Sequence, residues 1–325
     1  MVSIPLPTTA PGAQRLTLRV AELRFEARDV VSVLLCDPTG IALDEWSPGA
    51  HIDVRFGNGV ERQYSLCSDP ADRSGWRFAV LREPVSRGGS SYVHDSLRPG
   101  ELLDVSLPRN NFELADAGNY VFVAGGIGIT PLLPMIRSVA ARGAAWRLAY
   151  LGGSAERMAF TGSAEVADGN STLIAGDRDG RLDLAGWIGA VGADTRVYAC
   201  GPERLLEALE SLSTGWPTGV LRLERFQAKA LSEPLSTEAF EVEARRSGVT
   251  VRVENGCSVL DMLERAGIGV PSSCLEGVCG TCETDVIDGD VDHRDSILSP
   301  DEREANETMM ICVSRATSST LVLDI

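Results

Sequence analysis

The sequence predicts a multidomain protein: an antiparallel β-barrel, then an α/β domain with a parallel sheet, then a small α+β domain built around a cysteine cluster. Three observations lead there. Short alternating apolar segments fill residues 16 to 112, strands alternating with helices follow Asn119, and four of the eight cysteines gather near the C-terminus. At 325 residues the chain exceeds the usual size of one domain, and 44% hydrophobic with 23% charged residues is ordinary globular composition.

The barrel rests on six segments, LTLRVAELRFEA, VVSVLLCD, HIDVRF, ERQYSLCS, WRFAVLRE and LLDVSLP, separated by Gly, Pro, Asn and Asp turns. Many short strands with little helix between them read as a small antiparallel barrel. The α/β domain follows as strand YVFVAG, helix PLLPMIRSVAARG, strands WRLAYLGG, STLIAG and RVYACG, and helix PERLLEALESL. Such alternation implies a parallel sheet covered on both faces. Residues QAKALSEPLST lose the pattern and read as a linker. Strands AFEVEARRSG and VTVRVENG, helix SVLDMLERAG, the cysteine loop and strand STLVLDI complete the chain. The expected boundaries are 1–112, 113–228, a linker over 229–238, and 239–325.

The N-terminal stretch has no basic region followed by an apolar one, which marks no secretion signal. The longest apolar run, Tyr120 to Ile136, is broken by Gly125, Gly126, Gly128, Pro131 and Pro134 and falls short of a bilayer span. A soluble cytoplasmic protein, not a membrane one, is expected. The formal charge of −16 argues against nucleic acid, whose phosphates demand a basic face. Residues 239–325 hold 17 acidic against 7 basic side chains and so carry most of that charge. Two readings of this stretch stand together: a solvated surface, or a docking face for a basic partner.

Cys274, Cys279 and Cys282 form C-x4-C-x2-C, and Cys312 follows after 29 residues. This is the plant-type 2Fe-2S spacing, in which four thiolates hold two irons. Gly277 and Gly280 let the backbone turn tightly and bring amides toward sulfur, with Ser272, Ser273 and Thr281 as small hydroxyl donors. Zinc is the alternative for four cysteines. Zinc sites usually pair two short C-x2-C knuckles, whereas here the fourth ligand stands alone in MICVSR.

Arg62, Gln63, Tyr64 and Ser65 end a barrel strand and offer an aromatic face, a hydroxyl and a cation, which is what a planar flavin with a phosphate tail needs. Arg82 and the RGGSSYVHD segment, with Gly88, Gly89 and Ser90, add phosphate donors. Alone, each could be a plain barrel turn. GGIGITP follows a buried strand and opens a helix, with Thr130 suited to the N-cap and Pro131 to the first helical position. Pyrophosphate fits against such a turn. Pro131 stands where G-x-G-x-x-G would place its third glycine, which disfavours an ordinary dinucleotide-binding dehydrogenase. ACGPE ends another apolar strand, and the two strand ends together point to one cofactor crevice.

With RQYS, GGIGITP, ACGPE and the cysteine loop in that order, the chain resembles the ferredoxin-reductase superfamily. Within it, the chain is similar to the phthalate dioxygenase reductase and vanillate demethylase reductase group. The resemblance implies an FMN-binding barrel, an NADH-binding domain and a β-grasp ferredoxin domain holding a 2Fe-2S cluster, serving a terminal Rieske-type oxygenase. It implies that Arg62, Gln63, Tyr64 and Ser65 hold the flavin, with Arg82, Gly88, Gly89 and Ser90 at its phosphate. Gly126, Gly128, Ile129 and Thr130 would meet NADH, and Cys200, Gly201 and Pro202 would border the nicotinamide. Phe226 would lie near the isoalloxazine, so that Ser65, Cys200 and Phe226 form the catalytic set. FMN over FAD comes from the resemblance alone. Ser154 and Arg157, after the WRLAYLGG strand, leave a ribose phosphate and hence NADPH open. A monomer is expected. A cytochrome P450 or a small molecule such as a quinone is the alternative acceptor.

Overall fold

The computed structural model describes residues 14–229 and 233–325; residues 1–13 of the expected barrel domain and 230–232 of the expected linker lie outside the described residues. The chain divides into two compact units, one of residues 15–225 and one containing 226–325.

The first unit begins with strands β1 (Arg15–Ala27), β2 (Val30–Cys36), β3 (His51–Arg55), β4 (Glu61–Ser65) and β5 (Trp76–Leu81), helix α1 (Gly89–Asp95), and strand β6 (Leu102–Ser106). The strands pair antiparallel in the order β4-β3-β6-β1-β2-β5. A bridge between Leu66 and Phe78, with the Cys67 amide donating to the Arg77 carbonyl at 2.8 Å, joins the two edge strands and closes the barrel. Closure removes unpaired strand edges. Alternate residues fill the interior: Leu18 and Val20, Val33 and Leu35, Ile52 and Val54, Trp76 and Phe78, and Leu103 and Val105 are buried together. Because strand side chains alternate, His51, Asp53, Gln63 and Ser65 point the other way.

The parallel sheet comprises β7 (Asn119–Gly125), β8 (Ala145–Gly152), β9 (Ser171–Ala175), β10 (Thr195–Cys200) and β11 (Leu221–Glu224), with helices α2 (Leu132–Ala141), α3 (Gly176–Asp179), α4 (Leu184–Ile188) and α5 (Glu203–Leu212). Its order is β11-β10-β7-β8-β9. Both faces of β7 are covered: Phe122 and Ala124 pack with α2, while Val121 and Val123 pack with Leu205, Leu206 and Leu209 of α5. The chain runs outward from β7 to β9 and then returns to build β10 on the other side. The reversal leaves a crevice at the C-terminal ends of β7 and β10. The four-residue β11 is too short and too charged for the alternation to reveal it.

The second unit holds β12 (Phe240–Ala244), β13 (Val249–Val253), α5's successor α6 (Val259–Arg265), β14 (Glu283–Asp288), β15 (Val291–Asp292), α7 (Pro300–Ala305), β16 (Thr308–Met310), β17 (Arg315–Ala316) and β18 (Thr320–Leu323). Five strands order as β13-β12-β18-β14-β16, with β12 and β18 parallel, which is the expected α+β grasp of a helix by a mixed sheet. Ser258 opens α6 with a capping box closed by Asp261, satisfying two backbone donors. Val259, Leu260 and Leu263 of that helix bury against Phe240, Val242 and Leu321. No helix among the described residues is long and apolar enough to cross a membrane.

Candidate functional site

In the second unit, the cysteine loop turns through left-handed backbone at Leu275 (φ 59°), Gly277 (φ 72°) and Gly280 (φ 69°). Gly277 cannot be replaced without strain, because a Cβ there would stand 2.7 Å from Val313 and 3.1 Å from the Asp295 backbone. These turns aim amides at sulfur. The Glu276 and Val278 amides donate to Cys274 Sγ at 3.3 and 3.5 Å, and the Cys274 amide donates to Cys279 Sγ at 3.5 Å. Amides directed at sulfur stabilise bound thiolate.

Cys279 and Cys282 are buried, while Cys274 and Cys312 are partly so. The four thiols interact as two hydrogen-bonded pairs, Cys274 with Cys279 and Cys282 with Cys312. The Cys274 partner pulls the Cys279 thiol down to about 6, and the Cys312 partner lowers Cys282. No three ligand-type side chains among the described residues converge on a single metal position. Two adjacent thiol pairs instead suit two irons, each taking two thiolates. The residues present therefore fit a binuclear cluster.

In the first unit, Tyr64 stacks on Phe78 at 4.7 Å, and burial pushes its phenol up. Arg62 donates to the carbonyls of Glu61 at 2.6 Å and Arg87 at 2.8 Å. Its stem lies against Gly89, where a Cβ would come within 2.6 Å of Arg62 Cγ. Gly88 caps α1 in a left-handed conformation (φ 94°), and the Ser86 hydroxyl gathers the Gly88 and Ser91 amides and the Ser90 hydroxyl at 3.1 to 3.2 Å. Arg62, Gly88, Gly89 and Ser90 thus meet at one loop. Arg82 holds Asp95 of α1 in a bidentate ion pair at 2.7 and 3.0 Å.

The GGIGIT turn closes as a 3-10 helix over Gly126–Ile129. Thr130 ends that turn, its hydroxyl donating to the Ile127 carbonyl at 3.0 Å, so the N-cap of α2 falls one residue later, on Pro131. This corrects the expected cap: three glycines allow a tighter turn than an α-helical start. The glycines also divide in role. A Cβ at Gly128 would stand 2.2 Å from the Cys200 carbonyl, one at Gly125 2.5 Å from Pro202, and one at Gly201 2.8 Å from Gly125. These three let the β7 and β10 ends touch. Gly126, at φ 55°, has open space where a Cβ would project, the room a ligand needs. The Ile129 side chain is fully buried, so only its backbone remains for a ligand.

Ser65, Cys200 and a residue the motifs did not mark, Glu224, come together at three strand ends. Cys200 and Glu224 are register partners across β10 and β11. The Glu224 carboxyl lies 3.3 Å from Ser65 Oγ and also hydrogen-bonds with the Cys200 thiol. Burial pushes the Glu224 carboxyl up to about 8, and burial beside that carboxyl raises Cys200 well above the ordinary thiol range. Glu224 is therefore largely protonated near neutrality. The neighbouring Arg225 does not answer it, since that guanidinium pairs with Glu203 and Glu210. The short, charged segment LRLE holds no local signal that marks this acid. Phe226 begins the second unit and is 42% exposed.

Residues 242–317 match a 2Fe-2S iron-sulfur cluster binding domain. Phenoxybenzoate dioxygenase subunit beta of Ectopseudomonas oleovorans is 40% identical over 95% of this chain and 97% of its own length. A solved phthalate dioxygenase reductase, described as a modular structure for electron transfer from pyridine nucleotides to [2Fe-2S], matches with TM-score 0.68 and 37% identity over 96% of this chain and 98% of its own. An intact type IV self-sufficient cytochrome P450 monooxygenase matches all of this chain with TM-score 0.90 and 41% identity, and this chain spans 43% of its length.

Proposed function

Because the chain belongs to the phthalate dioxygenase reductase family, we propose that it is the cytoplasmic, monomeric, NADH-dependent reductase of a Rieske-type aromatic-ring oxygenase or O-demethylase. The observation that carries this is one chain uniting a paired-thiol cluster loop with a glycine-lined crevice beside the RQYS strand. FMN, NADH and a 2Fe-2S cluster supply the redox chemistry, turning one two-electron donor into single electrons.

The chain's own work is placement. Arg62 and the Gly88–Gly89–Ser90 loop hold the flavin phosphate, and Tyr64 offers the aromatic face of the barrel. Arg82 joins them only by leaving Asp95. Gly126 leaves room for the nucleotide, and Thr130, Gly201 and Pro202 shape its crevice. Ser65 and Cys200 border the reacting rings, and Glu224 holds a proton beside Ser65. Cys274, Cys279, Cys282 and Cys312 ligate the cluster. Plant-type clusters sit near about −400 mV and Rieske centres between about −150 and +300 mV, so transfer to such a partner runs downhill. Division into domains 1–112, 113–228 and 239–325 belongs to this proposal.

Similarity to the self-sufficient P450 favours a second reading, in which a haem monooxygenase takes the electrons. Steady-state NADH oxidation with a purified Rieske oxygenase and a purified P450 tests the two. Faster turnover with the Rieske oxygenase supports the first; turnover with the P450 alone overturns it.

A further inference from the structure

A buried charge stands behind the cysteine loop. Asp295 is 4% exposed, and its side chain lies wholly out of solvent. Its place follows from the turn after β15. Asp295 Oδ2 accepts the Ile297 and Leu298 amides at 2.9 and 2.8 Å, so the carboxylate closes its own turn. Its Oδ1 is buried with no hydrogen-bond partner among the described residues. Ser296 donates its amide to the Gly277 carbonyl at 2.9 Å, which seats the turn on the cysteine loop. A Cβ at Gly277 would stand 3.1 Å from Asp295 Cα and 3.3 Å from its Cβ, so no side chain separates the two segments. The Gly277 amide in turn donates to the Cys312 sulfur. Along this path a single residue lies between Asp295 and a cluster ligand.

Helix α7 supplies the counterpart. Arg303 donates from Nη2 to the Asp295 carbonyl at 2.6 Å and from Nε to the Leu298 carbonyl at 3.0 Å, gripping both ends of the turn, while Nη2 stands 3.6 Å from Asp295 Oδ2. The two charges do not cancel at the loop. The Arg303 side chain is 37% exposed and screened by water, whereas the Asp295 carboxylate is not. We propose that Asp295 and Arg303 are a positioning pair that sets the reduction potential of the cluster: Arg303 fixes the turn against Gly277, and the Asp295 carboxylate holds a negative charge behind the loop that opposes electron uptake. This rests on the binuclear-cluster reading above. Reduction makes the four-thiolate site more negative by one charge. A buried anion nearby disfavours that change, and a cation favours it. The two residues should consequently move the potential in opposite directions, which a shared packing role would not do.

The test titrates the holoprotein against redox dyes at one pH, with the paramagnetic signal of the reduced cluster as the readout. Asp295→Asn keeps an acceptor for the Ile297 and Leu298 amides but carries no charge. Its one-electron equilibrium should shift roughly tenfold toward the reduced form, or about 59 mV upward. Arg303→Gln should shift the equilibrium the other way, and Arg303→Lys, which keeps the charge, should stay near the unaltered protein. Asp301→Asn, which alters an exposed acid in the first turn of α7, should leave the potential unchanged. Asp295→Asn and Arg303→Gln moving the potential in the same direction, or neither moving it, overturns the proposal. Should Asp295→Asn lose its cluster, the Arg303 variants decide: equal potentials in Arg303→Gln and Arg303→Lys contradict it. An unaltered protein replete with iron and sulfide that gives no such signal overturns the cluster reading itself, and the role of the pair with it.

Discussion

The cluster loop and the cofactor crevice hold redox groups by opposite means. Around the cluster, nine consecutive positions from Cys274 to Cys282 supply three ligands, three left-handed turns and the amides that bond the sulfurs. At the crevice, Ser65, Cys200 and Glu224 come from three strands, with 159 positions separating the first from the last. Local backbone geometry controls the first region, and burial with strand register controls the second. A substitution in the loop should thus fail in an all-or-none way, while the crevice should respond by degrees and with pH.

Cys279→Ser probes that contrast most strongly. Electron delivery to a protein acceptor should be abolished, while ferricyanide reduction by NADH, which needs only the flavin, persists. Equal loss of both activities would show that the two regions are not separable in this way.

Glu224→Gln should act through pH. The carboxyl sits at about 8 in the folded protein against 4.5 as its ordinary value. A raised value means stability that is fully present below about 4.5 and lost as pH rises through 8. Of the order of 4 kcal/mol is at stake. Urea unfolding between pH 5 and 9 should show the unaltered protein losing stability relative to Glu224→Gln; parallel curves would mean that burial does not perturb this group.

Within the crevice, the glycines separate packing from ligand space. Gly128→Ala forces a Cβ to 2.2 Å from the Cys200 carbonyl, and overpacking of this kind costs about 2 kcal/mol in urea unfolding. Gly126→Ala meets no atom within 4 Å and should cost only about 1 kcal/mol for its left-handed backbone. Equal costs would erase the distinction. Flavin retention is a separate readout: Arg62→Ala should weaken it by roughly tenfold, the loss of one charge-assisted contact. Unchanged flavin content after dialysis would remove Arg62 from the phosphate site.

The same contrast explains what could be read without coordinates. The six barrel strands alternate strongly enough to be read directly, and the contiguous C-x4-C-x2-C loop names its own chemistry. Strands β15 and β17 have two residues each and β16 three, too short for any period to show. In β14, Glu283, Asp285 and Asp288 surround a single buried side chain, Thr284, which hides the strand as a polar loop. Glu224 carries no local mark, because nothing along the chain distinguishes a buried acid from a surface one. Its place in the site arises when β11 sets it beside Cys200. The pairing of Arg82 with Asp95, 13 positions away on α1, is likewise set by the fold and carries no local mark.

The central claim is that four C-terminal thiolates hold paired irons that accept electrons from a flavin reduced by NADH. Electron paramagnetic resonance on anaerobically purified protein tests it directly. Adding NADH should produce the signal of a reduced binuclear cluster, absent in Cys279→Ser. A protein replete with iron and sulfide that stays silent on reduction would contradict the account.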